Sequence, residues 1–247
     1  MVKGILLDKD GTIIDFFSIW PDIARQMVPR LIRQNELQDS NGKIEKDIFS
    51  YIGFSNGEVD PKKGFAYKSY GDIAQDIVRA LEKNGINLDL YSIYMQIVTI
   101  FNTILENESP KYKTFTDMEK LLSGLKKKGY YLGIATSDME KPTIDCLKKL
   151  NILEYFDYIG CDDGKRKHKP DGQMIEEFCE LCGINPEEVV MVGDTYNDMI
   201  FAKNNGAIPI AVLSGVSKKE DFENIPKLYI DDLESLPQTI ENLNFNK

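Results

Sequence analysis

Two aspartates two residues apart, Asp8 and Asp10, close a short apolar run in the stretch GILLDKDGTIID at residues 4–15. Carboxylates this close repel one another, and in a dry site they stay ionised only when a cation compensates them. Oxygen-only ligands of this kind suit Mg²⁺, which keeps several of its waters and is often shared with a phosphate. An aspartate is also a competent nucleophile toward phosphorus, forming an aspartyl-phosphate that divides phosphoryl transfer into two easier steps. The pair can share the work: Asp8, at the strand end, attacks, while Asp10, turned away, protonates a leaving alkoxide and later takes a proton from water. Lys9, between them, is expected to point off the site by strand alternation and to be structural only.

Such chemistry needs elements that bring distant groups to one place. Apolar runs recur from residue 130 onward, YYLGIAT (130–136), YFDYIGC (155–161), VVMVGD (189–194), IPIAVL (208–213) and KLYID (227–231), separated by helix-length amphipathic stretches. This is the βα alternation of a parallel sheet covered on both faces. Ligands of open parallel sheets bind beyond the carboxyl ends of the strands. On that rule four sets of residues meet at one rim: Asp8 and Asp10, Thr136 and Ser137, Lys169 ahead of Pro170, and Asp194 with Asp198 four residues on. There Lys169 and the metal would neutralise a transferring phosphoryl group. The Thr136 hydroxyl and backbone N–H groups after Asp8 would bind its oxygens, with Gly11 letting the backbone come close.

The region between residues 16 and 112 has a different texture. SIWPDIARQMVPRLIRQ, GKIEKDIFSYI, GDIAQDIVRALEKNG and YSIYMQIVTIFNTILEN are helical in period, with hardly a strand among them. The expected organisation is an α/β core of residues 1–15 and 113–247, with a mostly helical domain, 16–112, inserted after the first strand. Its hinges are expected near Asp15 to Phe17 and near Ser109 to Lys113.

The 247 residues, 42% of them hydrophobic, suit a packed globule, and a net charge of −10 with pI near 4.8 argues against nucleic acid as a partner. No run reaches the length of a membrane-spanning helix, and the start of the chain does not read as a signal peptide. The four cysteines, Cys146, Cys161, Cys179 and Cys182, have no disulfide-framework spacing, so a reducing cytoplasm is the expected setting. Cys179 and Cys182 form a CxxC inside a helical pattern without a second ligand pair, which reads as packing rather than metal binding.

Each motif has a plainer reading by itself. DKDG could begin a calcium loop, although the later Gly and the closing Glu such a loop needs are missing. GDTYND could be a helix N-terminus capped by Asp194 or Thr195. KRKHK, 165–169, could be a basic patch, but in an acidic chain it is expected to deliver Lys169 and leave the rest in solvent. His168 adjoins that lysine and is not expected to serve as a base.

Taken together, DKDGT (8–12), ATS (135–137), KPDG (169–172) and GDTYND (193–198) resemble, in order and spacing, the four motifs of the haloacid dehalogenase-like superfamily. The resemblance covers the whole chain. It implies a Rossmann-like parallel-sheet core with helices on both faces, and the helical insert looks like the family's helical cap. DKDGTIIDFFSIW and GDIAQDIVRALEKNGI look closest to the phosphoglycolate phosphatase-like branch. By that resemblance Asp8 is the nucleophile, Asp10 the acid and base, and Thr136 and Lys169 phosphate binders. Asp194 then ligates Mg²⁺ with Asp8 and the Asp10 carbonyl, and Asp198 supports the metal or Lys169 from behind. Asp10 favours a phosphate ester over a halide or phosphonate, whose cleavage needs no such acid. The implied activity is a Mg²⁺-dependent phosphatase acting on a small phosphorylated metabolite. A phosphomutase and a non-catalytic phospho-ligand sensor are the alternatives, and monomer and homodimer both stay open. In this cap class the loop after the second cap helix reaches toward the site, which makes Lys68 and Tyr70, in DPKKGFAYKSYGD (60–72), candidates for substrate recognition. Trp20 is a candidate pocket wall or a packing residue.

Overall fold

The computed structural model describes residues 1–55, 58–108 and 111–245. In chain order the elements are β1 (Gly4–Leu7), α1 (Trp20–Gln34), α2 (Lys43–Tyr51), β2 (Phe54–Ser55), β3 (Glu58–Val59), α3 (Tyr70–Lys83), α4 (Leu90–Glu108) and α5 (Met118–Lys127). They continue with β4 (Tyr131–Met139), α6 (Glu140–Lys149), β5 (Tyr158–Asp162), α7 (Gln173–Cys182), β6 (Val189–Gly193), α8 (Tyr196–Asn204), β7 (Ile208–Val212), β8 (Leu228–Ile230) and α9 (Leu236–Phe245).

The chain divides into two compact units, Met1–Phe16 with Tyr112–Lys247, and Phe17–Lys111. The first is built on a parallel six-stranded sheet of order β5-β4-β1-β6-β7-β8. Every residue of β1, β6 and β7 is buried. Leu6 packs with Phe178 of α7 and Met191 of β6, while Ile5 and Leu7, which alternate to the other face, are equally enclosed. Burial on both faces is what an all-parallel sheet requires, and it explains why these strands read as continuous apolar runs.

Register then positions the chemistry. Leu7 stands opposite Ile134 on one side and Val192 on the other, so the carboxyl ends of β1 and β6 lie in one row with the middle of β4. Asp8 and Asp194 are the first residues past β1 and β6, and Thr136 lies within β4, two residues past Ile134. Strand β4 extends to Met139, beyond the expected end at Thr136, with an irregularity in its pairing to β5 between Ala135 and Met139. An irregularity of this kind turns side chains out of simple alternation.

The second unit is mostly helical. Its core joins α1, α3 and α4 around Trp20, Phe65, Tyr70 and Phe101. A two-stranded antiparallel pair, β2 with β3, adds a little strand to a region expected to be mostly helical. Ser109 and Pro110, at the second expected hinge, lie outside the described residues.

Candidate active site

Asp8 is the first residue past β1, and its N–H still donates to the Val192 carbonyl at 2.9 Å, which fixes where the side chain starts. Its carboxylate is buried and accepts from the Lys169 ammonium at 2.7 Å. Lys169 also donates to Asp198 Oδ1 at 2.5 Å and to the Ala135 carbonyl at 3.0 Å. Those three bonds engage all three ammonium protons and tie β1, β4 and the start of α8 to one cation.

Asp198 is aimed by the helix that carries it. Thr195 caps α8, its Oγ accepting from the Asp198 N–H at 3.3 Å, while Asp198 Oδ2 accepts from the Thr195 N–H at 3.1 Å. This reciprocal cap turns the Asp198 carboxylate back toward the strand ends. The capping role of Thr195 and the presence of Asp198 in the site therefore come from one piece of local structure. Asp194, fully buried, accepts from the Val216 N–H through Oδ2 at 2.8 Å, while Oδ1 has no hydrogen-bond partner.

Oxygens of Asp8, Asp194 and Asp198 lie within 4.8 Å of one another. Burial pushes the Asp8 carboxyl up to about 7, with Lys169 opposing the rise and Asp198 adding to it. Burial also drives Asp194 well above the carboxylate range, reinforced by Asp8 and Asp198. For Lys169 burial acts downward, and the charges of Asp198 and Asp8 outweigh it, so the ammonium is held above its ordinary value. Two of the three enclosed carboxylates, Asp8 and Asp198, thus share Lys169, and the third, Asp194, keeps a bare oxygen. That donor set, all hard oxygen with uncompensated negative charge, fits a divalent cation.

Asp10 stands beside this cluster, and Lys9 is placed otherwise than alternation suggests. Its side chain is only 2% exposed, with Nζ 2.7 Å from Asp10 Oδ2 and 3.0 Å from Asp138 Oδ2. Burial alone would lower the Lys9 ammonium, but the charges of Asp10 and Asp138 outweigh burial and raise it well above the usual value. The expectation failed because β1 ends at Leu7: Lys9 belongs to the turn that follows, where its carbonyl accepts from Ile13 and Ile14, and period-two alternation no longer applies. Thr136 is buried within β4, its Oγ accepting from the Asp138 N–H at 3.1 Å, and Ser137, half-buried, follows it.

Two glycines make room for Asp194. A Cβ on Gly11, which has φ +87°, would lie 2.1 Å from Asp194 Oδ2, and one on Gly215 would lie 2.0 Å from the same atom. The Gly11 N–H donates to Ile14 at 2.7 Å, and the Ser214 hydroxyl reaches the Gly11 carbonyl at 3.3 Å. The loop after β7 therefore grips both Asp194 and the turn after β1. Sequence reasoning missed Asp138, Gly215 and Val216. The available signals were Lys9, set between two aspartates where an apolar run ends, and the Gly that follows β7 by three residues.

The candidates in the helical unit have internal partners. Trp20 packs edge-on against Phe65 and Phe101, with centroids 6.0 and 5.9 Å away, and the Tyr70 ring lies 4.9 Å from Phe101. Lys68 pairs with the buried Asp76 at 2.7 Å. In KRKHK, Arg166 does not simply face solvent; it bridges Asp163 and Glu177, each at 2.7 Å. His168 Nδ1 lies 3.9 Å from Asp162. All four cysteines are free thiols.

The family model for haloacid dehalogenase-like hydrolases matches residues 5–212. A phosphoglycolate phosphatase of Neisseria meningitidis is 31% identical over 246 residues, covering 98% of this chain and 94% of its own. A pyrophosphatase, PpaX, of Bacillus cereus is 30% identical over 252 residues, covering 98% of each. Among solved structures, one titled a "predicted phosphoglycolate phosphatase" from Haemophilus somnus superposes with a TM-score of 0.73 at 20% identity, over 97% of this chain and 98% of that one.

Proposed function

The chain belongs to the haloacid dehalogenase-like hydrolase family, and on that premise we propose that it is a Mg²⁺-dependent phosphatase of small phosphorylated metabolites that works through an aspartyl-phosphate on Asp8. The observation that carries the reading is the placement of Asp8: a carboxylate at a strand end, hydrogen-bonded to Lys169 and grouped with Asp194 and Asp198 around an unpartnered carboxylate oxygen.

Asp8, Asp194 and the Asp10 carbonyl would hold the Mg²⁺, with Asp198 alongside. Bound there, the ion would neutralise the carboxylates and the phosphoryl oxygens, keeping Asp8 ionised for attack. Asp8 bonds to phosphorus as the bond to the leaving oxygen breaks, and Asp10 gives that oxygen its proton. Asp10 then takes a proton from water, which attacks the aspartyl-phosphate and releases phosphate. Thr136, Ser137 and Gly11 are proposed to meet the phosphoryl group. Lys169 supports charge neutralisation through the bond it already makes to Asp8. Lys68, Tyr70 and Trp20 are the residues proposed to bear on specificity in the helical domain, 16–112.

The names of the relatives nominate phosphoglycolate and pyrophosphate as the first substrates to try. Phosphate release from a panel of phosphomonoesters and pyrophosphate is expected with Mg²⁺ and to vanish in EDTA. Asp8→Asn is expected to lose on the order of 10³-fold or more in kcat. Equal turnover in EDTA would overturn the metal dependence, and an active Asp8→Asn the mechanism.

A further inference from the structure

Lys9 sits in the one part of the site that the proposed chemistry leaves without a role. A lysine with 2% of its side chain exposed is expensive to enclose, and an apolar residue of similar volume would serve a strand end as well. What the ammonium does instead is connect. At one end it holds Asp10 Oδ2 at 2.7 Å; at the other it holds Asp138 Oδ2 at 3.0 Å. Asp138 is itself pinned, its Oδ1 accepting from the Met139 N–H at 2.8 Å where α6 begins, and its own N–H donating to Thr136 Oγ. The Lys9 backbone is fixed too, its carbonyl accepting from Ile13 at 2.9 Å and Ile14 at 3.1 Å. A chain of short bonds therefore runs from the end of β4 through Asp138 and Lys9 to the Asp10 carboxylate.

We propose that Lys9 is a positioning residue for Asp10: its enclosed ammonium, bonded to Asp10 and Asp138 together, fixes the carboxyl group that hands a proton to the leaving group. The inference rests on the reading of Asp10 as acid and base given above. In the step concerned, the Asp8 oxygen–phosphorus bond forms, the phosphorus–oxygen bond to the leaving group breaks, and the proton on Asp10 moves to the departing oxygen. A misaligned Asp10 slows only those departures that need the proton, because a stable anion leaves without one.

That selectivity supplies the test. The constant kcat/KM reports the steps through departure of the leaving group, before water attacks. It is measured with Mg²⁺ for wild type, Asp10→Asn, Lys9→Met and Asp138→Ala on 2,4-dinitrophenyl, 4-nitrophenyl, phenyl and methyl phosphate, with circular dichroism to confirm folding. Asp10→Asn is expected to lose little on the dinitrophenyl ester and on the order of 10²-fold or more on phenyl and methyl phosphate. Lys9→Met is expected to follow the same trend, with under about threefold loss on the first ester and about tenfold or more on the last two. Asp138→Ala, which removes the far anchor, is expected to show the trend in weaker form, and it decides the matter alone if Lys9→Met does not fold. A steep Asp10→Asn profile beside losses in Lys9→Met and Asp138→Ala that are equal on every ester would overturn the role of Lys9 and leave the function standing. A flat Asp10→Asn profile would instead overturn the reading of Asp10 and the inference with it.

Discussion

At the scale of single residues, the site is a problem of enclosed negative charge. Asp8 is raised from 3.8 to about 7 chiefly by burial, and Asp194 is raised as well. A carboxyl group that binds its proton more tightly folded than unfolded stabilises the fold below the unfolded value, and that contribution is lost as pH rises through the folded one. In the metal-free protein Asp8 should therefore cost stability progressively from about pH 4 to pH 7, and Asp194 acts in the same direction. A cation that compensates them should restore it, by an amount that grows with pH and with its concentration relative to Kd. Scanning calorimetry in EDTA and in Mg²⁺ is expected to show a larger Mg²⁺-induced rise in Tm at pH 7.5 than at pH 5. A rise of the same size at both would mean that Asp8 and Asp194 are not what the ion compensates.

At the scale of elements, each carboxylate is aimed by the local structure around it: Asp8 by the end of β1, Asp198 by the cap of α8, Asp194 by the loop after β7. Replacing Gly215 with Ala would push a methyl into Asp194 Oδ2. Groups that orient a ligand typically govern affinity by 10- to 100-fold, so Gly215→Ala should weaken Mg²⁺ binding by about that factor in isothermal titration calorimetry. The metal-free Tm should move by only a few degrees; a large drop there with unchanged affinity would make Gly215 a packing residue. The contrast between Asp198 and Gly215 marks what the sequence reveals. Asp194 and Asp198 were legible because a buried strand ends in a polar cap, a pattern contained in six consecutive residues. Gly215 and Val216 were not, because a close approach between two loops leaves no periodicity. Lys9 was misjudged because strand alternation was carried past Leu7, and Asp138 because its partner is far away in the chain.

At the scale of the whole molecule, an acidic chain of net charge −10 that handles an anionic phosphate needs positive charge at its site, and Lys169 stands there against Asp8 and Asp198. The parallel sheet gathers Asp8, Lys169, Asp194 and Asp198 from positions as much as 190 residues apart. The α/β class and the sheet's continuous apolar strands were legible for the reason that both faces are covered. The β2–β3 pair was not, since two-residue strands carry no period. Among the described residues no helix is long and apolar enough to cross a membrane. The covalent step at Asp8 is tested most directly by peptide mass spectrometry of an acid-quenched reaction run with Mg²⁺ and a substrate found in the panel. It is expected to find a phosphoryl group on Asp8 in the wild type and none in Asp8→Asn, which should also fail to turn over. Asp8→Asn releasing phosphate at the wild-type rate, with no phosphoryl adduct in either protein, would contradict it.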